Sequence, residues 1–217
     1  MSHQIVDSKE PIRLFKSDFL EFFTHINPLV VLIIWAPVSL YFLIRAVVDY
    51  SAGALAKRPA GWAYIPFGVL AGLFLWTFTE YMLHRFLFHH KAKTPAQERI
   101  FFLFHGVHHA QPMSKTRLVM PPVVSIPLAL IFYGLFTLVF AVLLGIGHWV
   151  APTFAGFVAG YLAYDMLHYS MHHFRMSKGY WRFLKIHHMN HHFKTPDQRF
   201  GVSSPVWDKV FGTLPAA

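Results

Sequence analysis

Thirteen of the sixteen histidines in this chain fall in four short stretches. H-R-F-L-F-H holds His84 and His89, with His90 adjacent, and H-G-V-H-H holds His105, His108 and His109. H-Y-S-M-H holds His168 and His172, with His173 adjacent, and H-M-N-H-H holds His188, His191 and His192, with His187 adjacent. Neutral imidazole is the commonest metal ligand in proteins. The ten framed histidines are more than one tetrahedral ion can use, so the natural count is two ions with about five nitrogens each. There is no cysteine, which removes thiolate ligands, disulfides and cysteine nucleophiles.

Spacing sharpens the expectation. His168 and His172 are four apart and share a helical face, as do the outer histidines of each H-x-x-H-H. The middle histidine of that motif is turned by roughly 100° and is free to serve the other ion. His84 and His89, five apart, do not share an α-helical face: either the helix ends between them or they bind different ions. The pattern also repeats. Sixteen positions separate His89 from His105, and sixteen separate His172 from His188. Glu80 precedes His84, and Asp165 precedes His168, by about one helical turn. Each acid is placed to orient a ligating imidazole through its other nitrogen. The remaining histidines, His3, His25 and His148, read as interface or core residues.

Nitrogen ligands suit zinc, copper, iron and nickel. A hydrolytic zinc site seldom needs two ions and ten imidazoles beside apolar helices. Attack on an unactivated C–H bond needs a strong oxidant, commonly made from dioxygen at redox-active iron. The expected cofactors are therefore two iron ions, replaceable by zinc on purification, with dioxygen as co-substrate. The chain carries no G-x-G-x-x-G and no H-P-G-G, so electrons are expected from a separate protein.

The elements that must position these residues are membrane helices. The chain has 217 residues, 55% of them hydrophobic and only 13% charged, against roughly 25% charged in soluble domains. Four windows are long and apolar enough to span: about 28–48, 62–83, 123–146 and 149–167. They form two hairpins, and the glycines of G-F-V-A-G-Y suit close helix contact. An amphipathic helix over about 11–26, carrying Ile12, Phe15, Phe19, Phe22 and Ile26, is expected at the membrane interface. The formal charge of +9 gathers on one side. Only Lys57 and Arg58 lie on the other, so the termini and both histidine-rich segments, 84–121 and 168–217, are expected to form a cytoplasmic cap. That placement favours anionic lipid over nucleic acid. Within the cap, Thr94-Pro95-Ala96-Gln97 reads as a capped helix start, with Ile100, Phe101 and Phe104 covering the core. Tyr180, Trp181, Leu184 and Ile186 are expected to do the same in the second half. The fold class is an all-α membrane protein, one domain over residues 1–217.

In order and spacing these motifs resemble the membrane fatty acid hydroxylase/sterol desaturase superfamily, and fatty acid 2-hydroxylases most. The stretches that carry the resemblance are LWTFTEYMLHRFLFHH (75–90), LFHGVHHAQPMSKTRLVMPP (103–122), GYLAYDMLHYSMHH (160–173) and HHMNHHFKTPDQRFGVSSPVWDKVFGTLP (187–215). It implies a four-helix membrane anchor with a helical cytosolic cap. The cap would hold a dimetal centre that inserts one oxygen at carbon 2 of a long acyl chain, free or as ceramide. The implied ligands are His84, His89, His105, His108, His109, His168, His172, His188, His191 and His192. His90, His173 and His187 would then stand behind the ligands or at the surface. The implied partners are a lipid acyl chain, the membrane, and a donor such as cytochrome b5 or ferredoxin with its reductase. The implied location is the endoplasmic reticulum in a eukaryote or the inner membrane in a bacterium. R-L-V-M-P-P (117–122) and S-S-P-V-W-D-K-V-F-G (203–212) share the resemblance without an evident chemical role. A hydroxylase or desaturase acting on sterol, carotenoid or alkane would use the same histidines. A metal-transport protein would need polar groups within the spans, where Arg45 is the only clear charge.

Overall fold

The computed structural model describes residues 10–53 and 61–215, and every regular element among them is helical. The elements are α1 (Asp18–Phe22), α2 (Pro28–Ala52), α3 (Tyr64–Met82), α4 (Pro95–Phe101), α5 (Val107–Ala110), α6 (Pro122–Phe136), α7 (Val150–His173), α8 (Gly179–Phe193) and α9 (Val206–Val210). Three π-helical segments extend them: Leu83–Phe88 after α3, Phe102–Gly106 after α4, and Thr137–Leu143 after α6. His3, Lys9, Lys57 and Arg58 lie outside the described residues.

The chain divides into two compact units. One comprises Leu29–Trp76 and Pro122–Ala163. It exposes large apolar side chains along α2, α3 and α6, including Leu29, Ile33, Tyr41, Phe67, Leu70, Leu130 and Ile131. Soluble monomers rarely leave so much contiguous apolar surface bare. Three helical stretches, Pro28–Ala52, Gly61–Phe88 and Pro122–Leu143, are long and apolar enough to cross a membrane. The window expected as a fourth span lies inside α7, which is helical throughout but not among those three. The physical reason is its position within the unit. Thr153, Phe154, Ala155, Phe157, Val158 and Tyr161 of α7 are all buried, so this helix is solvated by its neighbours and need not be apolar all round.

Small residues set that packing. A Cβ on Gly72 would lie 2.0 Å from the Thr153 carbonyl oxygen, and one on Gly156 would lie 2.1 Å from that of Val69. The α3 and α7 backbones therefore touch, as the glycine pattern led one to expect. Trp35 donates from Nε1 to Ser125 Oγ at 3.1 Å and meets Tyr161 edge to face. Arg45, the charge singled out within a span, donates to Asp49 Oδ2 one turn on at 3.0 Å. His148 packs edge-on against Tyr64.

The other unit takes in the chain up to Pro28, Thr77–Pro121, and the chain from Tyr164 onward. Its N-terminal segment corrects one expectation. The helix is confined to Asp18–Phe22 instead of spanning about 11–26. The amides of Leu14 and Phe15 donate to Glu21 Oε2 at 2.9 and 2.8 Å, and that of Ile12 to Gln111 Oε1 at 2.7 Å. Side chains thus satisfy backbone donors that a helix would have used. Glu21 also accepts from Arg117 Nη2 at 2.5 Å, and His25 lies 2.8 Å from Thr116 Oγ1. Phe19 and Phe22 remain exposed.

Burial raises the Glu21 pKa, but the Phe15 and Leu14 amides, Arg117 and His25 outweigh it and bring the carboxyl from 4.5 to about 2. A carboxyl lowered on folding contributes stability that is complete above its unfolded pKa and fades as pH falls. The Glu21 clamp is therefore expected to hold above pH 4.5 and to loosen between 4.5 and about 2. Hydrogen exchange at the Leu14 and Phe15 amides checks this. Glu21→Gln is expected to speed their exchange at neutral pH and to flatten the acid dependence.

α4 starts as its sequence suggests, with one variation. Thr94 Oγ1 accepts from the Gln97 amide at 3.3 Å, but the Gln97 side chain reaches back to the amide of Lys93, not Thr94, at 2.8 Å. Two sets of expected core residues need correction. Ile100 and Phe104 are exposed, as are Tyr180, Trp181 and Ile186; of the second set only Leu184 is buried. The inward stripe of α8 is Leu184, His187, His188 and His191. This three-to-four spacing gives the buried face to imidazoles and turns the aromatics out.

Candidate metal centre

The histidine-bearing helices bring ten imidazoles into two adjoining groups. His84, His89, His105, His109 and His191 form the first; His108, His168, His172, His188 and His192 form the second. Within each group the ligand atoms all lie within 4.8 Å of one another. In the first, Nε2–Nε2 distances are 3.1 Å for His84–His105, His105–His109 and His89–His191, and 3.2 Å for His109–His191. In the second they are 2.9 Å for His172–His188 and His108–His192, and 3.0 Å for His108–His168 and His188–His192. The groups adjoin where the His109 and His192 rings stack, 4.2 Å between centroids.

The two halves of the chain exchange one imidazole each. Four of the first group come from residues 84–109 and the fifth is His191. Four of the second come from 168–192 and the fifth is His108. The exchanged residues are the middle histidines of the two H-x-x-H-H motifs. The roughly 100° turn between adjacent helical residues carries each to the neighbouring group.

The pair left open by sequence, His84 and His89, belongs to one group because the backbone here is π-helical. The His89 amide donates to the His84 carbonyl five residues back at 3.1 Å. Residues five apart then stand on one face, a device often found at functional sites. The second π segment likewise ends beside the ligands, at His105-Gly106.

These residues fit a pair of metal ions. Ten ring nitrogens converge, and a ring of neutral Nε2 atoms cannot hydrogen-bond pairwise, since each contact needs a proton on one side only. A cation in the middle of each group satisfies all five lone pairs at once. Imidazoles at right angles on an ion at ~2.1 Å would have nitrogens ~3.0 Å apart, which matches the spacing observed. The rings are suited electrically as well. Burial, reinforced by neighbouring imidazoles, drives His105, His108, His109, His188 and His192 well below the ordinary value of 6.5. Burial does the same to His191, against a partial opposing pull from the Gln198 carbonyl. The rings are therefore neutral at pH 7, as ligands must be.

Outer contacts fix two of the rings. His84 donates from Nδ1 to the Phe200 carbonyl at 2.5 Å, and His191 donates from Nδ1 to the Gln198 carbonyl at 2.7 Å. Each bond selects the tautomer that leaves Nε2 bare for a metal. Glu80 takes up the same loop: it accepts from the amides of Val202 and Ser203 at 2.6 and 2.8 Å, and from Ser203 Oγ at 2.5 Å. Its hydrogen bonds therefore go to the loop and not to an imidazole, which corrects the expectation that it orients His84 directly. Asp165 accepts from the Met120 amide at 3.3 Å. His187 lies 3.2 Å from Asp208 Oδ2, His90 packs on Phe101, and His173 packs on Tyr169. A cavity of about 290 Å³ borders His89, His105 and His109 and is walled by Phe88, Phe101 and Phe102, with Lys91 also in its lining.

Asp208 was not singled out by the sequence reading. It is fully buried and takes four hydrogen-bond contacts, from Phe200 N, Gly201 N, Thr213 Oγ1 and His187 Nε2. The S-P-V-W-D-K-V-F-G stretch that contains it was the available signal, since an acid among apolar residues in a motif needs a partner.

Comparison with known proteins agrees with this geometry. A family model described as fatty acid hydroxylase matches residues 69–213. The chain is 38% identical over 213 residues to the dihydroceramide fatty acyl 2-hydroxylase FAH1 of Arabidopsis thaliana, covering 98% of this chain and 84% of that protein. It is 37% identical to the fatty acid 2-hydroxylase of Mus musculus, covering 94% of this chain and 57% of the mouse protein. Among solved structures it is similar to full-length scs7p, in which only the hydroxylase domain is visible. The TM-score is 0.79 at 37% identity, covering 92% of this chain and 70% of that one. Two groups of five convergent imidazoles, read together with these likenesses, place the chain in the fatty acid hydroxylase family.

Proposed function

We propose that this protein is a two-iron membrane hydroxylase that adds an oxygen from dioxygen at carbon 2 of a long acyl chain, free or within ceramide. The observation that carries the reading is the pair of five-imidazole groups, in a chain whose relatives are named for 2-hydroxylation of fatty acyl groups. Iron would supply the redox chemistry that cleaves an unactivated C–H bond. The second oxygen atom leaves as water, with two electrons and two protons supplied from outside. The donor is a separate protein such as cytochrome b5 or ferredoxin with its reductase.

The chain's own residues hold and tune the ions. All ten histidines named at the outset act as ligands through Nε2. Burial favours the neutral form of His105, His108, His109, His188, His191 and His192, and the Phe200 and Gln198 carbonyls fix His84 and His191 in orientation. The cavity beside His89, His105 and His109 admits small reactants to the first group. Three stretches apolar enough to span, joined by α7 as a fourth, anchor the protein in two hairpins. The basic residues favour a cytoplasmic site and cytoplasmic termini.

Mass spectrometry of lipids from a host lacking this activity is the direct test. Expression is expected to yield 2-hydroxy acyl chains only when oxygen is present. Unchanged lipids alongside well-expressed protein would count against the reading, and hydroxylated sterol would redirect it. A narrower prediction concerns Asp165, next to the second group in sequence and bonded to the Met120 amide. Asp165→Asn is expected to lower metal content or turnover ~10–100-fold, the usual cost of losing an outer partner. Metal analysis and turnover on the purified variant check it.

A further inference from the structure

Loop 198–203 supplies the carbonyls that orient His84 and His191, so what holds the loop holds the ligands. Asp208 Oδ1 accepts from the Phe200 amide and from Thr213 Oγ1, both at 2.7 Å, and Oδ2 accepts from the Gly201 amide at 2.8 Å. The Gly201 amide and the Phe200 carbonyl belong to one planar peptide unit. On one edge that unit donates to Asp208; on the other it accepts from His84 at 2.5 Å. The carboxylate therefore sets the plane on which the His84 ring is hung. Position 201 must be glycine for this approach, since a Cβ there would lie 2.9 Å from Asp208 Oδ2 and 2.1 Å from the Ser204 carbonyl oxygen. Glu80 fixes the next turn through Val202 and Ser203, but it does not hold the peptide that touches the ligand.

The second group has no such arrangement. Nδ1 of His108, His168, His172, His188 and His192 makes no hydrogen bond to a protein group among the described residues. The Leu118 backbone still draws on His168, too weakly placed to satisfy its Nδ1, and it is not among the groups that Asp208 bonds.

We infer that Asp208 is a positioning residue for one centre only: through the Phe200–Gly201 peptide it orients His84 of the first group, and it makes no bond to any imidazole of the second. The inference rests on the two-metal reading above. It assigns a role to the S-S-P-V-W-D-K-V-F-G stretch, which the ligand set leaves unexplained.

The test is metal counting on the purified full-length protein in detergent, with chelator-driven release followed in time. Asp208→Asn is expected to lower the content from two ions to about one, or to speed release of one ion ~10–100-fold while the other keeps its rate. Combination with a lesion in each group identifies the centre. Adding Asp208→Asn to His172→Ala should remove nearly all remaining metal, and adding it to His89→Ala should remove little more. If Asp208→Asn does not yield folded protein, Thr213→Val takes its place. That variant deletes one donor to Oδ1, and release of one ion alone is expected to be several-fold faster. Retention of both ions at wild-type rates, or equal loss from both groups, would overturn the role. A wild-type protein that binds no pair of ions would instead overturn the two-metal reading beneath it.

Discussion

His188→Ala is expected to reduce turnover by more than about 100-fold, because losing even an outer partner of a ligand costs 10–100-fold. His188 is completely buried, and its Nε2 stands 2.9 Å from that of His172 and 3.0 Å from that of His192. Alanine there removes a donor from the middle of the second group and leaves a void that no neighbour can fill. The neighbouring position provides the contrast. His187 points to Asp208 at 3.2 Å and belongs to neither group, so His187→Ala is expected to lose much less activity than His188→Ala and, by removing one donor to Asp208, to speed release of an ion from the first group at most several-fold while the second group keeps its ion. Turnover and metal content of the two variants, each shown to be monodisperse, distinguish a ligand from a residue that is merely rich in imidazole neighbours. Equal losses at 187 and 188 would contradict the grouping.

Gly156→Val is expected to have the largest effect on stability. Overpacking a core costs about 1–3 kcal/mol when side chains can shift. Here the obstruction is backbone, with the Val69 carbonyl oxygen 2.1 Å from the position of a Cβ. A loss of about 3 kcal/mol or more would lower Tm by roughly 6–12 °C in a protein of this size. Gly134→Ala serves as the control, because a Cβ at 134 meets nothing within 4 Å. It is expected to be neutral or to raise stability by about 0.5–1 kcal/mol. Thermal unfolding in detergent, followed by size-exclusion chromatography, reads both variants. An unchanged midpoint for Gly156→Val would mean that α3 and α7 do not approach as closely as described.

What the sequence disclosed was whatever depends on residue type and short-range spacing. Imidazoles at four-residue intervals sort themselves onto helical faces, so the turn that sets the middle histidine of H-x-x-H-H apart from its neighbours was visible before any fold was known, while the group each histidine joins was not. The pairing of His84 with His89 was not. It depends on a π turn, and nothing in R-F-L-F announces an i-to-i+5 hydrogen bond. Glu80 and Asp165 were visible as acids near ligands, but which donors they meet depends on where loops 118–120 and 200–203 return, a tertiary outcome. The aromatic residues misled for a related reason. Trp181 and Ile186 suit a core in type, yet the buried face of α8 is taken by histidines, so the apolar side chains turn outward. In the N-terminal segment the amphipathic spacing was real, but Glu21 and Gln111 captured the amides that a longer helix would have needed.

The crossing of His108 and His191 bears on how the protein is made. A chain emerging from the ribosome has four imidazoles of the first group by residue 109, but the fifth arrives only at 191. The second group is complete one residue later. Neither half holds five imidazoles of one group by itself, and separating the halves would leave two four-nitrogen remnants. On the proposed two-metal reading, full metal loading would therefore wait until residue 192 has been translated.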